Sequence, residues 1–443
     1  MKGKTLDDVE RPTLTNLKAA TRHTRTACPH TPGETSVKRF PVRLALFVAF
    51  VAAAPLTAAE PNDFFFRKGD RIVFLGDSIT EQYQYSSDIE LYLTTRFPEW
   101  NLTFINAGIG GDTATGGAGR FARHVLAERP TAVTIDFGMN DGGYGAFDKK
   151  RADAFLEKTE TMLKASKEAG VRVALISPNA VEVRGHANMK VYLETQKEFY
   201  APLKDLAEKY KIPFVDQYAV TRATLDKMAA DNAPVQAFDP VHTGPAGALL
   251  MAHTILVGLK APAVVSDLEI DAAAHKAGKA TRCKADKVEG GAEGVSFERT
   301  DEALPLPVAK DWRPLLPYVD NLKDFNYYGL KVTGLKEGKY ALSIDGNEVG
   351  TYAASDLAAG VNLGNLDSGA LYDQGQAVSK AITEKNDLVH HRFRDVVMKA
   401  AAVGEEAKRD DLKRRMDEID ARQATIYKLA QPKMHKFELK TAK

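Results

Sequence analysis

The sequence predicts an α/β protein: a parallel sheet covered by helices, followed by a smaller β-rich part and a helical C-terminus. Three observations predict it. Between residue 60 and about residue 260, strand-like and helix-like segments alternate, the pattern of a parallel sheet with helices on both faces. The first strand-like run, Ile72-Val73-Phe74-Leu75, is apolar without alternation, as in a strand buried on both sides. Around residue 262 the pattern changes to short strands with a hairpin signal, and from about residue 366 to helices.

Taken in order, the N-terminus comes first. Lys38, Arg39 and Arg43 precede the apolar run Leu44–Leu56, and Thr57-Ala58-Ala59 follows. A charged start, a short apolar stretch and small residues at its end are the parts of a secretory signal peptide, here about 37–59. The run is too short for a comfortable membrane span. The expected location is secreted or periplasmic, with no stable membrane span once the signal is removed. Residues 1–36 are polar, Thr-rich and aperiodic, so they read as a spurious or disordered extension, with translation expected to begin at Val37. Cleavage near Ala59 would remove Cys28 and leave Cys283 as the one cysteine, hence no internal disulfide.

The main domain is expected over 60–260. After the strand at Arg71–Leu75, further strands are expected at Leu102–Asn106, Ala132–Phe137, Val171–Ile176 and Pro213–Tyr218. Phe155, Thr159, Met162 and Ser166 share one helical face, and Gly170 ends that helix. Tyr192, Phe199, Leu203, Leu206 and Tyr210 mark a second helix, and Leu249, Leu250, Ile255, Leu256 and Leu259 a third. A β-rich domain is expected over 261–365, with strands at Val264–Ile270, Gly294–Glu298, Gly329–Gly334 and Lys339–Ile344. Asp345-Gly346 signals a hairpin between Tyr340–Ile344 and Val349–Tyr352. Residues 366–443 read as a pair of helices broken near Gly404, docking on the rest. Leu412, Met416, Ile419 and Ile426 form the narrow apolar seam of the second.

Composition excludes some classes. Hydrophobic content of 44% and charged content of 27% are ordinary for a globular protein, and 443 residues allow two or three domains. A formal net charge of +1 offers no basic excess for nucleic acid. No His/Cys cluster has metal-ligand spacing, so no metal is expected. Gly108, Gly110 and Gly111 do not form a dinucleotide fingerprint, and there is no phosphate-loop lysine, so no cofactor is expected either. His186, His253, His390 and His391 read as surface or packing residues. Tyr318, Asn326, Tyr327 and Tyr328 could stack on sugar, but core and turn roles suit them better.

Four motifs stand at loop positions after strands. Gly76-Asp77-Ser78 ends the first strand, where open α/β sheets carry their sites and where a helix N-terminus favours negative charge. Asn106-Ala-Gly-Ile-Gly-Gly111 follows the second, Gly138-Met-Asn-Asp141 the third, and Asp239-Pro-Val-His242 precedes the last helix. A serine hydroxyl needs an adjacent imidazole to take its proton. An Asp three residues before a His can hold one ring nitrogen and leave the other for the serine. Acyl transfer also needs converging donors for its oxyanion.

This ordered set resembles the SGNH (GDSL-type) hydrolase family over about residues 68–260. The resemblance implies a flavodoxin-like, three-layer domain with strand order 2-1-3-4-5. It implies Ser78 as nucleophile, His242 as general base and Asp239 as its orienting partner. Ser78, Gly111 and Asn140 would form the oxyanion hole, while Asp77, Asn106, Asp112 and Asp141 order the loops. The expected activity is that of an exported serine esterase acting through an acyl-enzyme, on short acyl or acetyl esters of carbohydrates. The alternatives are an acyltransferase to a sugar hydroxyl, a lipase or thioesterase, and a noncatalytic glycan-binding protein. The expected partner is a small-molecule or polysaccharide ester.

Overall fold

The computed structural model describes residues 63–234, 236–399 and 406–442. The expected leader at 37–59 and the segment before it lie outside the described residues. Strands β1 (Arg71–Gly76), β2 (Thr103–Asn106), β3 (Ala132–Asp136), β4 (Arg172–Ile176) and β5 (Phe214–Val215) form one sheet in the order β2-β1-β3-β4-β5. Every neighbouring pair is parallel, giving the flavodoxin-like order. The apolar run Ile72–Leu75 lies in the interior of this sheet and is fully buried.

The helices of this domain are α1 (Ser78–Glu81), α2 (Gln84–Arg96), α3 (Ala114–His124), α4 (Lys149–Glu168), α5 (Lys190–Tyr200), α6 (Pro202–Tyr210), α7 (Gln217–Ala230) and α8 (Pro245–Gly258). On α4 the face of Phe155, Thr159, Met162 and Ser166 is buried. Gly170, just beyond its end, has φ +69°, where a side chain would be strained. Two expectations are corrected. The single helix marked by Tyr192 to Tyr210 is two, because Pro202 lacks the N–H that would continue α5 and instead opens α6. The strand expected to reach Tyr218 ends at Val215, because Asp216 caps α7 by accepting the Ala219 N–H at 3.0 Å.

Beyond residue 262 two more sheets follow, built from β6 (Val264–Asp271), β7 (Lys276–Thr281), β8 (Cys283–Gly291), β9 (Gly294–Asp301), β10 (Tyr327–Thr333), β11 (Lys339–Ile344), β12 (Asn347–Ala353), β13 (Val361–Asn362) and β14 (Met434–Thr441). Their orders are β13-β10-β6-β7 and β12-β11-β14-β9-β8. The hairpin at Asp345-Gly346 is present, both residues having positive φ. Inner residues of both sheets, among them Leu268, Val332, Phe297, Leu342 and Phe437, share one apolar core. Tyr328 and Asn326 serve that architecture: the Tyr328 hydroxyl donates to Asp301 at 2.8 Å, and the Asn326 carboxamide bonds Leu306 and Gly364. Neither is free to stack on a sugar.

Short helices α9 (Asn321–Asp324) and α10 (Ala354–Ala359) lie among these strands, and α11 (Ala370–Arg392) and α12 (Glu406–Ala430) follow them. The expected helical pair is therefore present, but it does not run to the end of the chain. Met434–Thr441 is a strand, inserted between β11 and β9, with His435, Phe437 and Leu439 buried at every second position. The helices pack on the first domain through buried charge. Lys385 of α11 contacts both carboxylate oxygens of Glu90 at 2.8 Å, and Arg392 meets Glu128 at 2.8 Å. From α12, the Tyr427 hydroxyl accepts the Leu102 N–H at 2.8 Å.

Candidate active site

The site is assembled at the C-terminal edge of β1. The chain must turn sharply at Gly76, where a Cβ would meet Thr80 Oγ1 at 2.2 Å and the Asp136 carbonyl at 2.7 Å. Asp77 then caps α1, its Oδ1 accepting the Ile79 N–H at 2.9 Å. The Ser78 N–H has no acceptor among the described residues and is left at the open helix end. Ser78 Oγ lies 2.9 Å from His242 Nε2.

His242 is delivered by a tight turn. The Asp239 N–H donates to the His242 carbonyl at 3.0 Å, and Phe238 and Thr243 form a bridge outside it. Asp239 Oδ1 accepts the His242 backbone N–H at 3.1 Å and lies 3.5 Å from Nδ1. That second distance is an electrostatic contact, longer than a good hydrogen bond. The side chains of His242 and Asp239 are 41% and 75% exposed, so water reaches both.

The second loop supplies Gly111, with φ +74° and an N–H that has no acceptor among the described residues. A Cβ on Gly108 would meet the Glu81 backbone at 2.3 Å, so only glycine lets this loop pass so close to α1. Asn106 holds the loop, its carboxamide oxygen accepting the Gly108 N–H at 2.9 Å and its nitrogen donating to the Thr80 carbonyl at 2.6 Å. Asp112 pairs with the mostly buried Arg120 at 2.7 Å, and Asp141 accepts the Ala114 N–H at 3.0 Å. All four expected loop-ordering residues thus make ordering bonds.

Asn140 joins the same cluster. Its Nδ2 donates to the Asp112 carbonyl at 2.9 Å and to Asp77 Oδ2 at 3.2 Å, and its Oδ1 accepts the Tyr144 hydroxyl at 2.7 Å. Two of the expected oxyanion donors are open, while the third is engaged and would have to exchange its longer bond for a substrate oxygen. Burial pushes the Asp77 carboxyl up to about 7, against the Ile79 N–H and with help from the Asp141 and Asp112 carboxylates. Burial likewise raises Asp141 to about 7, the Ala114 N–H opposing it.

Three participants are absent from the sequence motifs. Tyr144 orients Asn140 and Arg120 anchors Asp112. Glu81 takes the Gly110 N–H on Oε2 at 2.5 Å and pairs through Oε1 with Arg394 at 3.1 Å. Nothing in a single sequence links Arg394 to a loop almost three hundred positions earlier. Of the other histidines, His253 bonds Asp324 at 3.2 Å and His390 packs its ring on Tyr83. No group of three metal-ligating side chains and no membrane-length apolar helix occurs among the described residues.

Residues 74–250 match the GDSL-like lipase/acylhydrolase family. The chain carries an SGNH (GDSL-type) hydrolase domain. An acetylxylan esterase of Geobacillus stearothermophilus is 25% identical over 210 residues, which are 42% of this chain and 93% of that one. An arylesterase of Vibrio mimicus is 27% identical over 186 residues, 40% of this chain and 82% of the relative. A solved structure described as a gut microbial diltiazem-metabolizing enzyme is 26% identical. It covers 85% of this chain and 98% of its own, with a TM-score of 0.75. That structure shares the architecture well beyond the hydrolase domain. The chain is accordingly an ester-hydrolysing enzyme.

Proposed function

We propose that this SGNH hydrolase is an exported serine esterase that removes short acyl groups, acetyl foremost, from carbohydrate alcohols. The observation that carries the catalytic part is Ser78 Oγ at 2.9 Å from His242 Nε2, at the open N-terminus of α1. Ser78 Oγ attacks the ester carbonyl carbon as its proton passes to His242 Nε2. The resulting oxyanion is received by the Ser78 and Gly111 N–H groups, with the Asn140 amide as third donor. Collapse breaks the bond to the alcohol, which leaves with the proton from His242. Water then gives a proton to His242 as its oxygen attacks the acyl-enzyme, and collapse breaks the bond to Ser78 Oγ, which takes the proton back from His242 as the acid leaves.

Hydrolysis rather than transfer is favoured by the exposure of His242 and Asp239, since transfer to a sugar hydroxyl needs water kept out. The carbohydrate alcohol is supported by the acetylxylan esterase relative, and export by the signal-like segment 37–59. The test is p-nitrophenyl acetate hydrolysis by wild type and Ser78→Ala, with acetylated xylan as second substrate. Ser78→Ala should lose nearly all activity, and a fluorophosphonate should label wild type at Ser78. Full activity in Ser78→Ala, or label elsewhere, removes the mechanism. Wild type that cleaves p-nitrophenyl acetate but leaves acetylated xylan untouched removes the carbohydrate assignment alone.

A further inference from the structure

The turn that follows the nucleophile also forms one wall of a separate cavity of about 460 Å³, whose opposite wall is α11. Its lining includes Gln82, Gln84, Asp88, Trp312, Asn386 and His390. The size is that of a small-molecule site. Gln82 and Gln84 tie it to the catalytic turn: the Gln82 N–H donates to the Ser78 carbonyl at 3.0 Å. Thr243, next to His242, lies 3.2 Å from both glutamine side-chain oxygens. Tyr83 between them is held at φ +60°, a left-handed conformation that a bulky residue adopts only when its surroundings impose it.

Two properties define what the cavity can hold. Its lining mixes aromatic side chains, Trp312 and His390, with carboxamides and hydroxyls, and includes no lysine or arginine among the described residues. Asp88 Oδ2 is buried there with no hydrogen-bond partner, which is costly unless a ligand supplies one. We propose that this cavity is a subsite for a neutral sugar residue of the substrate, an assignment that rests on the carbohydrate-esterase reading above. Sugar hydroxyls would satisfy Asp88 and the carboxamides, while a ring face lies on an aromatic plane. Anionic sugars would meet Asp387 on the rim with no cation to receive them. Burial holds the Asp88 carboxyl well above the usual carboxylate range, which favours its protonated form and a partner hydroxyl over an ammonium.

The chain has two tryptophans, which provides the readout. Both are buried in the same core, Trp100 stacked on Phe97 and Trp312 contributing to the cavity wall. The full mature chain carrying Ser78→Ala is titrated with xylotriose, glucuronic acid and choline, following tryptophan fluorescence. Xylotriose should give a saturable change that Trp312→Phe abolishes. Adding Asp88→Ala, or Thr383→Arg at the exposed rim, should weaken it about tenfold, the scale of a hydrogen bond to a buried group. Circular dichroism establishes that each variant is folded, and the rim variant keeps the test open should Asp88→Ala fail to fold. No saturable change with xylotriose, tighter binding of glucuronic acid or choline, or unchanged affinity in folded Thr383→Arg overturns the proposal. Because Ser78→Ala carries the titration, catalysis plays no part in it, and p-nitrophenyl acetate hydrolysis by wild type judges the esterase reading separately.

Discussion

Ser78 and His242 meet because two short turns leave each side chain little choice, and the third member of the set is bound less closely. Asp239 lies at 3.5 Å from Nδ1 and is mostly solvated, so its charge acts through water-screened contact. Asp239→Ala should therefore reduce kcat well short of the roughly 10⁴-fold loss that follows when a buried triad aspartate is neutralised. Steady-state kinetics on p-nitrophenyl acetate decides, and a full 10⁴-fold loss would mean that Asp239 closes on His242 during turnover. Asp141 carries a pH signature instead. Its carboxyl is raised by burial from 3.8 to about 7, so between those values the folded chain holds a proton that the unfolded chain releases. The contribution to stability is full below pH 3.8 and is lost as pH rises through 7. Asp141→Asn keeps an oxygen for the Ala114 N–H and removes the titration. Its Tm relative to wild type should rise with pH across this window and level off above it. Parallel Tm curves for the two proteins would show that Asp141 titrates normally in the fold.

At the scale of elements, the loop that carries the proposed oxyanion donor Gly111 is tied to a part of the chain outside the hydrolase domain. Glu81 at the end of α1 holds the Gly110 N–H with one oxygen and Arg394, just past α11, with the other. Gly110 precedes Gly111, the proposed oxyanion donor, so this bridge fixes where that N–H points. Glu81→Gln and Arg394→Ala should each lower kcat about tenfold with little change in KM, since a misaimed donor weakens the transition state more than the ground state. Arg394→Lys should restore part of the loss. Both side chains are partly exposed, so Tm should move by only a degree or two. A fall in Tm with kcat intact would make the bridge structural only. The hydrolase elements themselves were legible because each carries a local signal: an unbroken apolar run, a 3.6-residue face, a glycine at a turn. The four motifs that the fold brings together at the candidate site are local signals of the same kind. Glu81, Arg120 and Tyr144 carry no such signal, being ordinary helix and loop residues whose importance lies in a partner distant in sequence. The short β5 and the start of α7 were misread because an aspartate cap is weaker evidence in sequence than the aromatic residues around it.

For the whole molecule, the consequential misreading lies at the C-terminus, where Met434–Thr441 follows a long charged helix and looks like its frayed end. The alternation of His435, Phe437 and Leu439 was present in the sequence, but eight residues cannot announce that they belong to a sheet begun more than a hundred positions earlier. In the fold, β14 hydrogen-bonds β11 on one side and β9 on the other. Phe437 stacks on Phe297 with ring centroids 5.3 Å apart. The chain thus leaves the β-rich part after β13, crosses the hydrolase domain as α11 and α12, and returns to close the sheet. This order makes the hydrolase domain and the β-rich part interdependent, since α11 reaches the first through the buried Lys385–Glu90 pair and β14 completes the second. Removing residues 431–443 should therefore do more than shorten a tail. It would open β9 and β11 as unpaired edges and expose the apolar core they cover, a template for aggregation. We expect the shortened chain to be insoluble, or soluble with its Tm lowered by many degrees and with its far-ultraviolet strand signal reduced. Adding back a peptide of residues 431–443 should recover part of the soluble fraction by pairing with the open edges. A soluble truncated chain with wild-type Tm would show that β9 and β11 close on each other without the final strand.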